Sequence, residues 1–571
     1  MKLNFWTIEK TILAVLLVLA IGYRFLNLGA VPLNDLEAVA ALDGWNLSEG
    51  VMVKHSSQPF ISNLLGLLFF VIPRNNFVTR FFPALIGVVV IFLPLLFRKQ
   101  LPEKIVFLLI FWFLIEPGFV ALSRQINSTL MMFLFGMIAF HAMLEKKAVL
   151  LGISFAIAFL CGASFWWALI PAGFAALVQK KMGSRSEDLG EQMSSSQMNW
   201  KKAAIASVVA LVFGGTFGFV FPSQFGSTFS GLTDFLSGWT PDISTVAQSF
   251  NWRVIPFYEL PVYLFGILGL VWMMVKKHSY RFFLISWFVA AFILFVVYPQ
   301  KNVEYLFWVN LPLLFSSTIF LASMLKIDAE ERILIGKIAM GGLIISIFLS
   351  QIILYIIFRS IPMQGAATYI LLAVGVLLFV FAFFMLGWTY SWNLALRSLV
   401  LMAVIDFAFL TISASWNAGM LRTPYHNEMW SLSPQPVDYD IFIETLEQQV
   451  KWPVGGNENI HVQLQGLKSA SLEWALLPYD LLQEGENINF EKDPEVIISN
   501  EYQTITANSD YRGQDFVWLS EPPWSSMFTN EWLSWLMTRD APQDGFFASR
   551  IIVWVRSDLF TGKNLTSNTI P

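Results

Sequence analysis

Apolar runs of about 20 residues recur along most of this chain, the length a helix needs to cross a hydrocarbon core of roughly 30 Å. By that ruler thirteen segments qualify, near residues 11–28, 79–97, 105–122, 127–144, 148–162, 164–179, 203–221, 258–275, 281–298, 304–325, 334–358, 366–386 and 395–413. In lipid a backbone must satisfy its own hydrogen bonds, so each run is expected to be a helix. The run from Pro59 to Pro73, "PFISNLLGLLFFVIP", is left out. About 13 residues between its prolines reach roughly 20 Å, so it is expected to lie in the interface or dip into it. Composition agrees with a polytopic membrane protein, since 56% of the 571 residues are hydrophobic and 13% charged.

Short cytoplasmic loops are enriched in Lys and Arg. With 59–73 not spanning, alternation puts Arg98/Lys99/Lys104, Lys146/Lys147, the 180–202 loop, Lys276/Lys277/Arg281 and Lys326/Arg332/Lys337 on the side of the N-terminus. Counting 59–73 as a span would put Arg98/Lys99/Lys104 outside and flip every cluster after it. The N-terminus is therefore expected in the cytoplasm and, with thirteen spans, the C-terminus outside. The first span is too long for a signal-peptide core and is expected to be retained. Cys161 has no partner for a disulfide, and a net charge of −4 gives no reason to expect a nucleic-acid partner.

The chain divides into a membrane part, 1–416, and a polar, acidic tail, 417–571, with no apolar run near 18 residues. In the tail "NIHVQL", "PEVIIS", "DFVWL" and "RIIVWV" read as strands. "VDYDIFIETLEQQV", "SLEWALLPYDLL" and "NEWLSWLM" read as helices. That alternation predicts a soluble external α/β domain.

The loop 29–78 carries Asp35, Glu37 and Asp43 in "PLNDLEAVAALDGW", directly after the first span. A long loop between membrane elements is usually functional or packed against something. Asn34 or Asp35 can cap the helix that starts near Leu36. The functional alternative is a general base, or a metal ligand beside a lipid phosphate. External cations supply a second ingredient. Arg80 flanks the same loop, Arg124 sits in the tight turn "ALSRQINST", and Lys301 in "YPQKNVEYLFW". A guanidinium beside Ser123, Gln125 and Asn127 suits a phosphate, and the competing reading is snorkelling toward headgroups. His55 and Gln58, in "KHSSQPF", are candidate substrate contacts, although a plain surface role fits His55 as well.

Taken together, "RFLNLGAVPLNDLEAVAAL", "HSSQPFISNLLGLLFFVIPRNNFVTRFFPALIGVVVIFLPLLFRKQL", "ALSRQINSTLMM" and "YPQKNVEYLFWVNLPL" resemble the GT-C superfamily of membrane glycosyltransferases. That group holds the protein O-mannosyltransferases (glycosyltransferase family 39) and the aminoarabinose transferases. The tail is similar to the extracytoplasmic domain of some prokaryotic members. The resemblance implies a GT-C-like fold and transfer of a sugar, with inversion, from a polyprenyl-phosphate donor to a protein or lipid acceptor outside the membrane. A first-loop carboxylate, Asp35 or Glu37, would be base or acceptor-positioning group. Arg80, Arg124 and Lys301 would hold the leaving phosphate. The family's adjacent Asp-Glu is displaced, with Leu36 at the Asp position. Asp35 has taken over, Glu37 acts alone, or activity is lost. A divalent metal ion stays open, because some members use one and others do not.

The expected protein is thus a multi-pass plasma-membrane glycosyltransferase surrounded by membrane lipids. Its rival is a flippase for lipid-linked sugars, or a flippase accessory protein, that uses the same basic rim without chemistry. A sensor with an external ligand domain would need a cytoplasmic signalling segment, for which the 180–202 loop is too short.

Overall fold

The computed structural model describes residues 8–182, 198–240, 252–325, 331–358, 366–422, 428–448, 460–482, 493–502, 505, 507–524, 526–528, 531, 532, 535, 536, 539 and 547–560. The centre of the basic 180–202 loop, the external turn at 359–365 and half of "NEWLSWLM" lie outside these described residues.

Each of the thirteen apolar segments is occupied by helix. In chain order these are α1 (Ile8–Phe25), α4 (Asn76–Ile91), α5 (Glu103–Ile115) with α6 (Pro117–Ser123), α7 (Thr129–Leu144), α8 (Ala148–Phe159), α9 (Ala163–Met182), α10 (Trp200–Gly215), α12 (Leu260–Val275), α13 (Arg281–Val297), α14 (Leu306–Met324), α15 (Arg332–Phe358), α16 (Ala366–Thr389) and α17 (Trp392–Ala418). Between the first two lie α2 (Asp35–Ser48) and α3 (Pro59–Phe69), and α11 (Ser230–Ser237) precedes α12. The 11 residues of α3 reach roughly 16 Å, so it is the short element its prolines imply.

Five of the described helical stretches are long and apolar enough to cross a membrane, or six if the bent pair α5–α6 is one span. The chain is a multi-pass membrane protein. The expected thirteen crossings are not established by helix length, because elements such as the 12-residue α8 rise only about 18 Å.

Local chemistry sets the helix ends. Asn34 and Glu37 form a reciprocal capping box on α2, and Asn75 and Ser391 cap α4 and α17. Pro117 removes an amide after Glu116, and the chain turns by 57° between α5 and α6. Close packing relies on glycine where α12 meets α14. A Cβ on Gly266 would lie 2.7 Å from that of Leu313, and one on Gly269 would lie 2.4 Å from the Ser316 carbonyl oxygen. Helix α14 is central, with 78% of its apolar window buried, whereas the corresponding stretch of α15 is 11% buried and turns its side chains outward.

After α17 comes a mixed sheet of β1 (Gln435–Pro436), β2 (His461–Gln465), β3 (Asp480–Leu482), β4 (Val496–Asn500), β5 (Tyr511–Glu521) and β6 (Phe547–Arg556), in the order β1-β5-β6-β4-β2-β3. Strand β2 runs parallel to β3 and β4, and the other pairs are antiparallel. Helices α18 (Tyr439–Leu446) and α19 (Ala470–Leu476) accompany it. Phe442, Leu446, Leu472, Leu476, Val496 and Trp518 belong to its core. The four expected strands are present. The helix expected over "SLEWALLPYDLL" stops at Leu476, because Pro478 cannot continue it, and the rest becomes β3.

Candidate functional site

Glu37 is fully buried and its carboxylate is saturated. Oε1 accepts from Arg80 Nε (2.8 Å) and the Ile126 amide (3.0 Å), and Oε2 from Arg80 Nη2 (2.6 Å) and the Asn34 amide (3.3 Å). Arg80 in turn spends its remaining donors on the carbonyls of Leu28 (3.3 Å), Val31 (2.6 Å) and Pro32 (3.0 Å). This bidentate pair ties the loop after α1 to α4 and to the turn after α6. Both groups are first of all struts.

Asp35, at the first position of α2, points the other way. Its Oδ1 accepts from Ser469 Oγ (2.8 Å), the Ser471 amide (2.9 Å) and Ser471 Oγ (2.6 Å). It thereby caps α19, whose own Ser469 provides no capping bond. Nearby Trp474 donates to Asn76 Oδ1 (3.3 Å) and its ring meets Phe69 at 5.9 Å. All three bonds enter Oδ1, and the residue is half-buried.

Arg124 lies across a narrow cleft from Arg80, among Asn27, Val31, Gln125 and Met420. Nε donates to the Gly419 carbonyl (2.6 Å) and Nη1 to those of Tyr23 (3.2 Å) and Arg24 (3.0 Å). Among the described residues no carboxylate lies within ion-pairing distance of Arg124. Burial, and then the Arg80 charge, lower its pKa to about 9, so it stays cationic at neutral pH. Glu37 thus neutralises Arg80 alone, and Arg124 leaves the cleft with an excess of positive charge suited to an anionic phosphate oxygen. Gln125 closes its far wall, donating to the Trp430 carbonyl (2.8 Å) and accepting from the Leu432 amide (3.0 Å).

The remaining candidates lie apart from the cleft. Gln58 Oε1 accepts from Ser128 Oγ (2.8 Å). His55 Nε2 lies 3.2 Å from Asp234 Oδ1, a partner no spacing in the sequence pointed to. Lys301 rests on the Val296 carbonyl (3.3 Å) and 6.0 Å from the Phe295 ring. Asp43, half-buried beside Ser56 and Ser62, has its pKa raised by desolvation to about 6. As for a metal, no group of three or more His, Cys, Asp or Glu side chains among the described residues is placed to hold one. Sequence reasoning also passed over Glu116 and Glu259, each inside an apolar run with no neighbouring polar pattern to flag it.

No protein-family model and no curated protein matches the sequence. Solved structures do. ArnT from Cupriavidus metallidurans bound to undecaprenyl phosphate superposes with a TM-score of 0.55 at 13% identity, covering 96% of this chain and 99% of that one. The chain has the ArnT fold. The apo state of the same ArnT gives a TM-score of 0.52 at 13% identity, over 97% of this chain and 99% of ArnT. The match to ArnT covers nearly all of both chains, so the resemblance read from the motifs holds at the level of fold.

Proposed function

We propose that the chain is a membrane glycosyltransferase that takes a sugar from a polyprenyl-phosphate-linked donor and passes it to an acceptor on the extracytoplasmic side. The observation that carries this reading is the cleft between Arg80 and Arg124, where buried positive charge exceeds negative beside the Asp35 loop. ArnT, which shares the fold, binds undecaprenyl phosphate. In this reading residues 1–416 form the membrane part, with the N-terminus cytoplasmic, and 417–571 an external domain.

The acceptor oxygen attacks the anomeric carbon, its bond to the phosphate oxygen breaks, and the electron pair leaves on the phosphate. Arg124 stabilises that charge, and Arg80, held by Glu37, adds its field. Asp35 Oδ2 is the carboxylate oxygen of the motif left to take the acceptor proton. Lys301 has no part in this arrangement.

The experiment is mass spectrometry of lipids that copurify with the full chain. Polyprenyl phosphate, or its sugar adduct, is expected on the wild type and lost from Arg124→Ala. Bulk phospholipid alone on both would overturn the donor assignment. A second reading, a flippase or flippase accessory without transferase activity, is favoured by one observation. Glu37 is fully engaged and Asp35 half engaged in holding the fold. Under it, polyprenyl-phosphate sugar binds and Asp35→Asn leaves its handling unchanged.

A further inference from the structure

Buried polar groups that the cleft does not use converge at two irregularities of the helical bundle. One is the break between α5 and α6, where Glu116 precedes Pro117. The other is the wide turn Ile255–Glu259 that leads into α12 and ends at Glu259. Wide turns and broken helices within membranes recur at binding sites, because they free backbone and side-chain polar groups.

Glu116 and Glu259 are both fully buried and lie within hydrogen-bonding reach of each other. If both are ionised, neither has a proton to donate, and although the Gly118 amide approaches Glu259, neither of its oxygens has a well-formed hydrogen bond among the described residues. Glu116 is better supplied, since Oε2 accepts from the Phe119 amide (2.6 Å). Asn310 on α14, also fully buried, sets its amide against Glu116, with Nδ2 3.4 Å from Oε1, while its Oδ1 has no partner among the described residues. Tyr263, one turn beyond Glu259, brings a buried hydroxyl that is likewise unpartnered among the described residues. The charged group facing this cluster is Arg24 of α1, whose guanidinium donates to the carbonyls of Leu114 (2.8 Å) and Phe113 (2.9 Å) rather than to a carboxylate. The Trp430 indole lies beside Glu259.

Two touching carboxylates out of reach of water repel strongly, and a lone buried charge is costly. Arg24 offsets one of the two. One positive charge is missing. We propose that Glu116, Glu259, Asn310 and Tyr263 bind a single monovalent cation, a proton or a sodium ion, where the α5–α6 break meets the start of α12. An all-oxygen donor set suits a hard cation, and a carboxyl pair in contact can share a proton. A divalent ion would overcompensate beside Arg24, and no third His, Cys, Asp or Glu joins the pair among the described residues.

The test uses the full-length protein in detergent and no activity assay, so it stands or falls separately from the glycosyltransferase reading. Unfolding midpoints are measured in sodium chloride and in choline chloride of equal ionic strength, and infrared spectra are recorded across a pH series. A midpoint raised by sodium but not by choline identifies sodium as the occupant. A protonated carboxylic-acid band at neutral pH, with no response to sodium, identifies the proton. In either case Glu259→Gln should lose that signature, and Glu116→Gln provides the same reading should Glu259→Gln fail to fold. A wild type that shows neither signature, or Gln variants that keep it unchanged, would overturn the proposal.

Discussion

Replacing Glu37 by Gln separates a structural carboxylate from a catalytic one. The wild-type carboxylate accepts two bonds from Arg80 and two from backbone amides, with no solvent contact. Glutamine keeps one carbonyl oxygen, turns the other acceptor into a donor facing the Arg80 guanidinium, and strands a buried cation. Breaking a buried ion pair from one side costs roughly 3–5 kcal/mol. Arg80 keeps its three carbonyl acceptors, so the lower end of that range, about 3 kcal/mol, is expected here. That loss is large against the total stability of most domains. The assay is the thermal midpoint of the detergent-purified protein by fluorescence-detected size exclusion, read with Glu37→Gln, Arg80→Met and the pair. The double variant should be destabilised by less than the sum of the singles, because neither partner is then left unpaired. A Glu37→Gln protein with the wild-type midpoint that nevertheless loses sugar transfer would refute the strut assignment and restore Glu37 as the base.

Ser471→Ala removes one of the three donors to Asp35 and should weaken docking of α19 by about 1 kcal/mol, read as faster amide hydrogen exchange over Ala470–Leu476. Asp43 behaves oppositely to a salt-bridged carboxylate. Its folded pKa, near 6, lies above its unfolded value of 3.8, so ionising it costs stability as pH rises through that window, by roughly 3 kcal/mol at most. Asp43→Asn should therefore raise the thermal midpoint at pH 7 and leave it unchanged near pH 4; an equal effect at both would contradict the burial argument. Gly269→Leu should abolish folded protein, since the α12–α14 contact has no room for even a Cβ against the Ser316 carbonyl, whereas the open Gly336 should tolerate the same change.

The helical segments of the membrane part were legible because hydropathy over some 20 residues is a local property. So was the short α3, which its two prolines bound, and so were the tail strands with their β-branched runs. The end of α19 at Leu476, ahead of Pro478, was equally local, yet the helical period of the residues around it masked the stop. Legibility failed where a side chain's meaning depends on its partner. Asp35, Glu37, Arg80 and Arg124 were all visible as charges out of place in an oily chain. Nothing in their spacing showed that Arg80 completes Glu37 across 43 residues, or that Asp35 caps a helix beginning 435 residues later.

By itself, then, the sequence determined that this chain lives in a membrane, which runs become helices, and that its first loop gathers charge. Tertiary structure alone decided which of those charges neutralise one another. It spent Glu37 on Arg80, left Arg124 without a carboxylate among the described residues, and pressed Glu116 against Glu259. The physical reason is range. Helix formation and transfer into lipid are sums over neighbouring residues, whereas the state of a buried charge is set by whichever distant groups the fold brings within about 4 Å of it.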